Sequence, residues 1–217
     1  VSTSSNTNVS VGSEWDNTVL IESINNVTHL QKVAQKIGVL KTGAHFKPIH
    51  LKGIDETYDT TYLKTSLIEG KLPTLHSDSA TNEIVVSKRI ANTLNLKVGE
   101  RIYAYFFEEN IKMRRMHIVG IYETNLKQFD ESTVITDRYT VCKLNGWTYQ
   151  EYSEIEINTT SLEVLDETLP EVKSALDGFP KISAISVKEH YPQVFSWLNI
   201  LNTNVWVILV LMLGVAI

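Results

Sequence analysis

The stretch NEIVVSKRIANTLNLKVGERIYAYFFEENIKMRRMHIVGIY, residues 82–122, decides how the rest of the chain is read. Residues 83–86 form a short run rich in β-branched side chains. Ser87 then offers a hydroxyl to the free amides of a following helix, whose apolar positions Ile90, Ala91 and Leu94 share one face. Asn95 is a plausible stop. Gly99 is free to take a positive φ in the turn that follows. Residues 101–107 alternate as a strand, Glu108, Glu109 and Asn110 make a polar tip, and residues 113–122 return as the partner strand. Gly120 in that strand marks a bulge or a close backbone approach. The reading is strand, short helix, turn and long hairpin, with Ile90, Leu94, Ile102, Ile118 and Val119 as its expected core.

Working outward, residues 27–40 are ambiguous. Leu30, Val33, Ala34 and Ile37 fit a helical face, whereas Val27, His29, Gln31, Val33, Gln35, Ile37 and Val39 fit one face of a strand, and periodicity alone favours the helix. A second strand runs through Phe46, Ile49, Leu51 and Ile54. Residues 59–66 read as loop or short helix, and 125–132 as a polar loop whose Asp130 and Glu131 are solvated charge. Residues 133–136 are a strand, and Asp137 caps a helix through Leu144 with Gly146 after it. Residues 152–158 alternate as a strand. Residues 161–176 are helical, with Pro170 either kinking the helix or starting a second segment capped by Thr168. A strand at 182–187 closes a strand-helix-strand unit. The fold class is therefore α+β: a ferredoxin-like βαβ part into which the central, mainly-β element is inserted.

From about His190 a helix starts, with Pro192 in its first turn, and runs into VWVILVLMLGVAI at 205–217. A span needs roughly twenty apolar residues. This run is still apolar where the sequence stops, and Trp197 and Trp206 sit where an interfacial aromatic belt belongs. It reads as the first half of a transmembrane helix carried by Val205, Trp206, Val207, Ile208, Leu209, Val210, Leu211, Met212 and Leu213. Residues 1–14 lack an initiator methionine and a signal sequence, and read as an excised edge.

The order of these elements, with IVGIY at 118–122 followed by FDESTVITD at 129–137, resembles the extracytoplasmic domain of the lipoprotein-releasing permeases (the LolC/LolE family) and of the wider MacB-type and FtsX-like permeases. The resemblance covers residues 27–217. It implies a long strand at 27–40, a Porter part made of 1–45 and 149–189, a Sabre part at 46–148, and a stalk at 190–217. It also implies an ABC ATPase subunit and a second permease copy or paralogue as partners, with a lipoprotein or carrier protein as a further one, in the bacterial inner membrane with this domain in the periplasm. The function implied is relay of ATP-driven motion for lipoprotein release; the alternatives are MacB-like efflux and an FtsX-like module that docks a cell-wall hydrolase. In lipoprotein-releasing permeases one paralogue binds a periplasmic carrier through a long, proline-flanked hook at this hairpin. Here the corresponding loop, Phe107, Glu108, Glu109, Asn110, Ile111, Lys112 and Met113, is short and has no proline, and it is the candidate partner-contact loop.

Chemistry is scarce. The net charge of −5 argues against a nucleic-acid partner, since only Lys112, Arg114 and Arg115 cluster, and strand alternation spreads them over two faces. The single cysteine, Cys142, excludes an internal disulfide and reads as a small core residue. His29, His45, His50, His76, His117 and His190 have no metal-ligand spacing, and no Walker loop, GxGxxG or GxSxG is present. No catalytic residue, metal or cofactor is expected, and ATP hydrolysis is assigned to a separate subunit.

Overall fold

The computed structural model describes residues 2–3, 18–43, 45–107, 110–177, 182–197, 200, 205, 208 and 212. One strand organises it. β2 (Val27–Lys41) is 15 residues long, about 50 Å of extended chain. Its first half, 27–33, pairs with β9 (Glu154–Thr159), and its second half pairs with β3 (Phe46–Ile54) on one side and β6 (Arg101–Phe106) on the other. The helical period in this stretch loses because each half has a β partner that satisfies its backbone groups, and tertiary pairing overrides a weak local pattern.

The first half of β2 belongs to a small sheet. β1 (Ser2–Thr3) lies between β9 and β10 (Ile182–Ser183), antiparallel to both, which gives the order β10-β1-β9-β2. Two split βαβ units interleave there, β1-α1-β2 and β9-α6-β10, the ferredoxin-like arrangement. Helices α1 (Thr18–Glu22) and α6 (Leu165–Ala175) supply Ile21, Val172 and neighbouring Leu176 to its core, against Tyr152, Ile155 and Ala184. Pro170 lies inside a continuous α6, and Thr168 is buried within it, donating its hydroxyl to the Val164 carbonyl at 2.8 Å instead of capping a second segment.

Everything between β2 and β9 forms the second unit. β3 continues, through α2 (Thr61–Thr65) and β4 (Leu67–Gly70), to β5 (Glu83–Ser87), α3 (Lys88–Leu94), β6 and β7 (Lys112–Tyr122). Next come α4 (Lys127–Ser132), β8 (Thr133–Asp137) and α5 (Arg138–Asn145). The pairings β2-β3, β3-β8, β8-β5, β5-β7, β7-β6 and β6-β2 return to their start, so six strands close a ring. Closure removes free strand edges. The main core includes Leu40, Leu51, Ile84, Ile102, Phe106 and Ile118 with Ile90, Ala91 and Leu94 of α3 and Val141, Cys142 and Leu144 of α5. A second core gathers Val85, Val119, Tyr122 and Ile135 with Ile54 and Leu63.

The local signals of the central stretch hold. Ser87 Oγ accepts from the Ile90 amide at 3.1 Å, and Asn95 ends α3 in the left-handed region at φ 53°. Gly120 is both a bulge and a close approach: the β5-β7 register slips past Val119, and a Cβ at Gly120 would run into the Lys71 carbonyl. Successive strand residues face opposite ways, so Val119 points away from Ile118 into the second core and does not join Ile90, Leu94, Ile102 and Ile118; the slip is what returns Ile121 to the main core.

Two other expectations are corrected. Residues 125–132 are not a polar loop: Lys127–Ser132 is helical, and Asp130 is buried, accepting from the Thr124 amide and hydroxyl and the Asn125 amide. The strand expected at 182–187 is only Ile182–Ser183, and Val187 opens a short helical turn ahead of the C-terminal helix expected from about His190. α7 (Val187–His190) is a separate turn closed by a Ser186/Glu189 capping box, Tyr191 breaks it at φ −123° and ψ 59°, and residues 192–197 are helical with Pro192 first.

Candidate functional site

Tyr191 lies at the root of the C-terminal helical segment, beside a group of buried and half-buried polar side chains that joins the two units. Lys52 projects from β3. Its amine donates to the Tyr58 hydroxyl at 2.9 Å and to Glu156 Oε1 at 2.5 Å, while the Tyr58 hydroxyl donates to Glu156 Oε2 at 2.7 Å. Lys52 and Tyr58 belong to the ring unit and Glu156 to β9. Beside them Gln35 Nε2 donates to Glu154 Oε1 at 2.5 Å, and the Gln35 amide donates to the Ser153 hydroxyl at 2.6 Å.

Burial alone would lower the pKa of Lys52, but the Glu156 carboxylate and the Tyr58 oxygen outweigh it and the pKa is raised. Burial works to raise the Glu156 carboxyl, and the attraction of Lys52 with its hydrogen bonds overcomes this, so it is lowered. Burial pushes Tyr58 up to about 12, against the pull of Lys52. Near neutral pH all three therefore keep one charge state. A general acid or base needs a pKa near the working pH; this cluster is a fixed charge-assisted tie. Glu154 is different, since burial and the neighbouring Glu156 raise it. The fields of Lys52, Glu156 and Glu154 extend to the Tyr191 hydroxyl, whose own pKa burial raises.

A second buried pair fixes the end of β3 to α5. Arg138 Nε lies 3.2 Å from Asp55 Oδ2, its guanidinium stacks 4.0 Å from the Tyr149 ring centroid, and Asp55 also accepts from the Thr57 amide and hydroxyl. Sequence reasoning missed both groups. Lys52 and Glu156 are 104 residues apart, Arg138 and Asp55 are 83 apart by number, and no spacing rule links them.

Of the candidate contact loop, Phe107, Ile111 and Met113 are strongly exposed, Asn110 is exposed and Lys112 half-buried; Glu108 and Glu109 lie outside the described residues. Lys112 Nζ donates to the Leu144 carbonyl at 2.8 Å, which ties the returning strand to the last turn of α5. Of the apolar C-terminal run, Val205, Ile208 and Met212 are helical and exposed. Trp206, Val207, Leu209, Val210, Leu211 and Leu213 lie outside the described residues. Among the described residues no helix is long and apolar enough to cross a membrane, and no group of three or more His, Cys, Asp or Glu side chains is placed to hold a metal ion. Cys142 is buried in the main core and its thiol is pushed up to about 11 by burial, a state in which it is unreactive.

No family model matches the chain, and no curated protein does. Among solved structures it is similar to the extracellular domain of the noncanonic ABC-type transporter YknZ from Gram-positive bacteria. That match has 17% identity over 81% of this chain and 87% of that one, and a TM-score of 0.53. The periplasmic region of MacB from Actinobacillus actinomycetemcomitans matches at 14% identity over 73% and 72%, with a TM-score of 0.47. The chain thus has the fold of an extracytoplasmic domain found on an ABC-type transporter, a mixed α+β architecture with the ferredoxin-like order β10-β1-β9-β2.

Proposed function

We propose that this chain is the extracytoplasmic domain of an ABC-transporter permease subunit, held in the periplasm by a bacterial inner membrane, and that it relays ATP-driven motion for the release of lipoproteins from that membrane. The observation that carries the reading is the likeness to the YknZ domain over four fifths of the chain, combined with a helical segment that leaves from the polar tie between the two units. An ABC ATPase and a second permease copy or paralogue are its partners. Residues 1–45 with 149–189 act as one unit and 46–148 as the inserted one, with β2 shared, and residues 205–213 belong to a membrane helix. The hairpin tip, 107–113, contacts a carrier or cargo protein.

A purified full-length protein, reconstituted in proteoliposomes with its ATPase and a lipid-modified reporter protein, is expected to release the reporter only with ATP. Two glycines inserted near Asn199 are expected to leave ATP hydrolysis in place and abolish release, since each weakens a helix by about 1 kcal/mol relative to alanine and relaxes the path between domain and membrane. Release independent of ATP, or unaltered by the insertion, overturns the reading.

A further inference from the structure

The outer face of the ring across β3, β2, β6 and β7 carries cross-strand rows that the ring's own core does not use. Phe46, Lys41, Tyr103 and Arg115 are register partners in turn, and the next row is Pro48, Val39, Tyr105 and Met113. Directly opposed residues on one face bring their side chains within contact of one another. These two rows, extended by Ile37 and Arg101, form one aromatic, aliphatic and cationic surface. It stays open to solvent: Phe46 is 72% exposed, Met113 51%, Ile37 48% and Tyr103 45%. A patch of this kind rimmed by charge marks an interaction site.

Its charge is one-sided. On the described outer positions of these four strands, residues 37, 39, 41, 46, 48, 50, 101, 103, 105, 113, 115 and 117, there is no Asp or Glu, although the chain as a whole carries a net charge of −5. Lys41, Arg101 and Arg115 have no ion-pair partner among the described residues. A second copy docked two-fold through this face would set these cations against one another, which costs affinity. The surface is also convex, because in a six-stranded ring successive strands face about 60° apart. A flat bilayer meets only a strip of such a ridge, whereas a protein that curves around it meets all four strands.

We propose that this ridge is the docking surface for a protein partner that presents carboxylates around an apolar concavity. It deepens the proposed carrier or cargo contact by extending it from the hairpin tip onto the face of the ring, and rests on that reading only for the partner's biological role. Tyr103 and Tyr105 supply large rigid contact area at low entropic cost, while Lys41, Arg101 and Arg115 steer and orient the acidic rim.

A photo-crosslinking amino acid placed at Tyr103 or Val39 of the full-length protein in its native cells, with Gln128 as a control on α4, tests the surface. We expect polypeptide adducts from Tyr103 and Val39 and none from Gln128. The captured polypeptide, purified, should bind wild-type protein with an affinity that falls as salt rises. Combined Lys41→Glu and Arg115→Glu should weaken it about tenfold or more, with unchanged circular dichroism and melting, and lysine at the crosslinked carboxylates should restore binding. Adducts to lipid alone with sedimentation on anionic phosphatidylglycerol vesicles, adducts to a second copy alone, or no adducts at all each overturn the proposal. Loss of ATP-dependent release without loss of adducts removes the transporter reading and leaves this one standing.

Discussion

The two units that share β2 solve the same problem with unequal means. In the ring every strand is paired on both sides, and Ile84, Leu40 and Phe106 are fully buried inside it. In the ferredoxin-like sheet β1 and β10 contribute two residues each among the described residues, and its core leaves Ile24, Val27, Leu30 and Ile157 only partly covered. Stability therefore concentrates in the ring, and the thinner sheet, nearest the C-terminal helical segment, is the part able to yield.

The largest expected effect is inside the ring. Leu94→Ala leaves a cavity at a side chain that is 3% exposed and should lower unfolding stability by about 2 to 5 kcal/mol in urea denaturation. A loss under half a kcal/mol would mean that α3 does not brace the ring. Asp130→Ala is expected to cost about 1 to 3 kcal/mol by the same measurement, because the Thr124 and Asn125 amides lose their acceptor. In the thin sheet, Ile155→Val should cost only about 0.5 to 1.5 kcal/mol. Its signature is local: amide exchange should accelerate at Glu154 to Thr159 and not at β5 or β8, and uniform acceleration would show that the units open together.

The smallest effect sharpens the seam between them. Glu156 is held below its unfolded value of 4.5, so its contribution is complete above that pH and is lost as pH falls through the lower folded value. Glu154 has the opposite sign: its folded pKa is raised, so the native state loses stability as pH rises from 4.5 through the folded value. Lys52, raised, contributes fully below 10.5 and only loses its contribution in strong alkali. Melting followed from pH 3 to 8 should thus show Glu156→Gln flattening the acid loss and Glu154→Gln removing the decline on the other side. The same change from both variants would break the assignment.

Local chemistry was legible and distant pairing was not. Ser87, Asn95, Gly99, Asp137 and Gly146 announce their helix caps and turns because each acts within four residues of itself. Residues 27–40 fit a helix by period alone, since their β partners lie up to 132 positions away and leave no mark on a local pattern; the long strand was implied only by the resemblance. Asp130 looked solvated for the same reason that Lys52 and Glu156 passed unnoticed: a carboxylate on a polar run is identical in sequence whether it faces water or a ring of amides. Tyr191 as a break was hidden by Pro192, which suits a first turn and says nothing about the short helix before it. Of the candidate loop, the sequence marked Phe107, Asn110, Ile111 and Met113, which are exposed and whose contact role is a proposal; the ridge beside them needed the register of four strands.

The sharing of β2 also sets an order of events in synthesis. All six ring strands are complete by Asp137, whereas Val27 to Val33 must wait for β9, more than 120 residues downstream. Closing the ring first spends the loop entropy of β2, β6 and β8 early and leaves half a strand extended with an open edge. That edge carries His29, Gln31 and Lys32, residues poorly suited to recruiting a stray strand. A nascent chain paused before residue 154 should accordingly be protease-resistant in the ring while residues 18–33 remain open to cleavage.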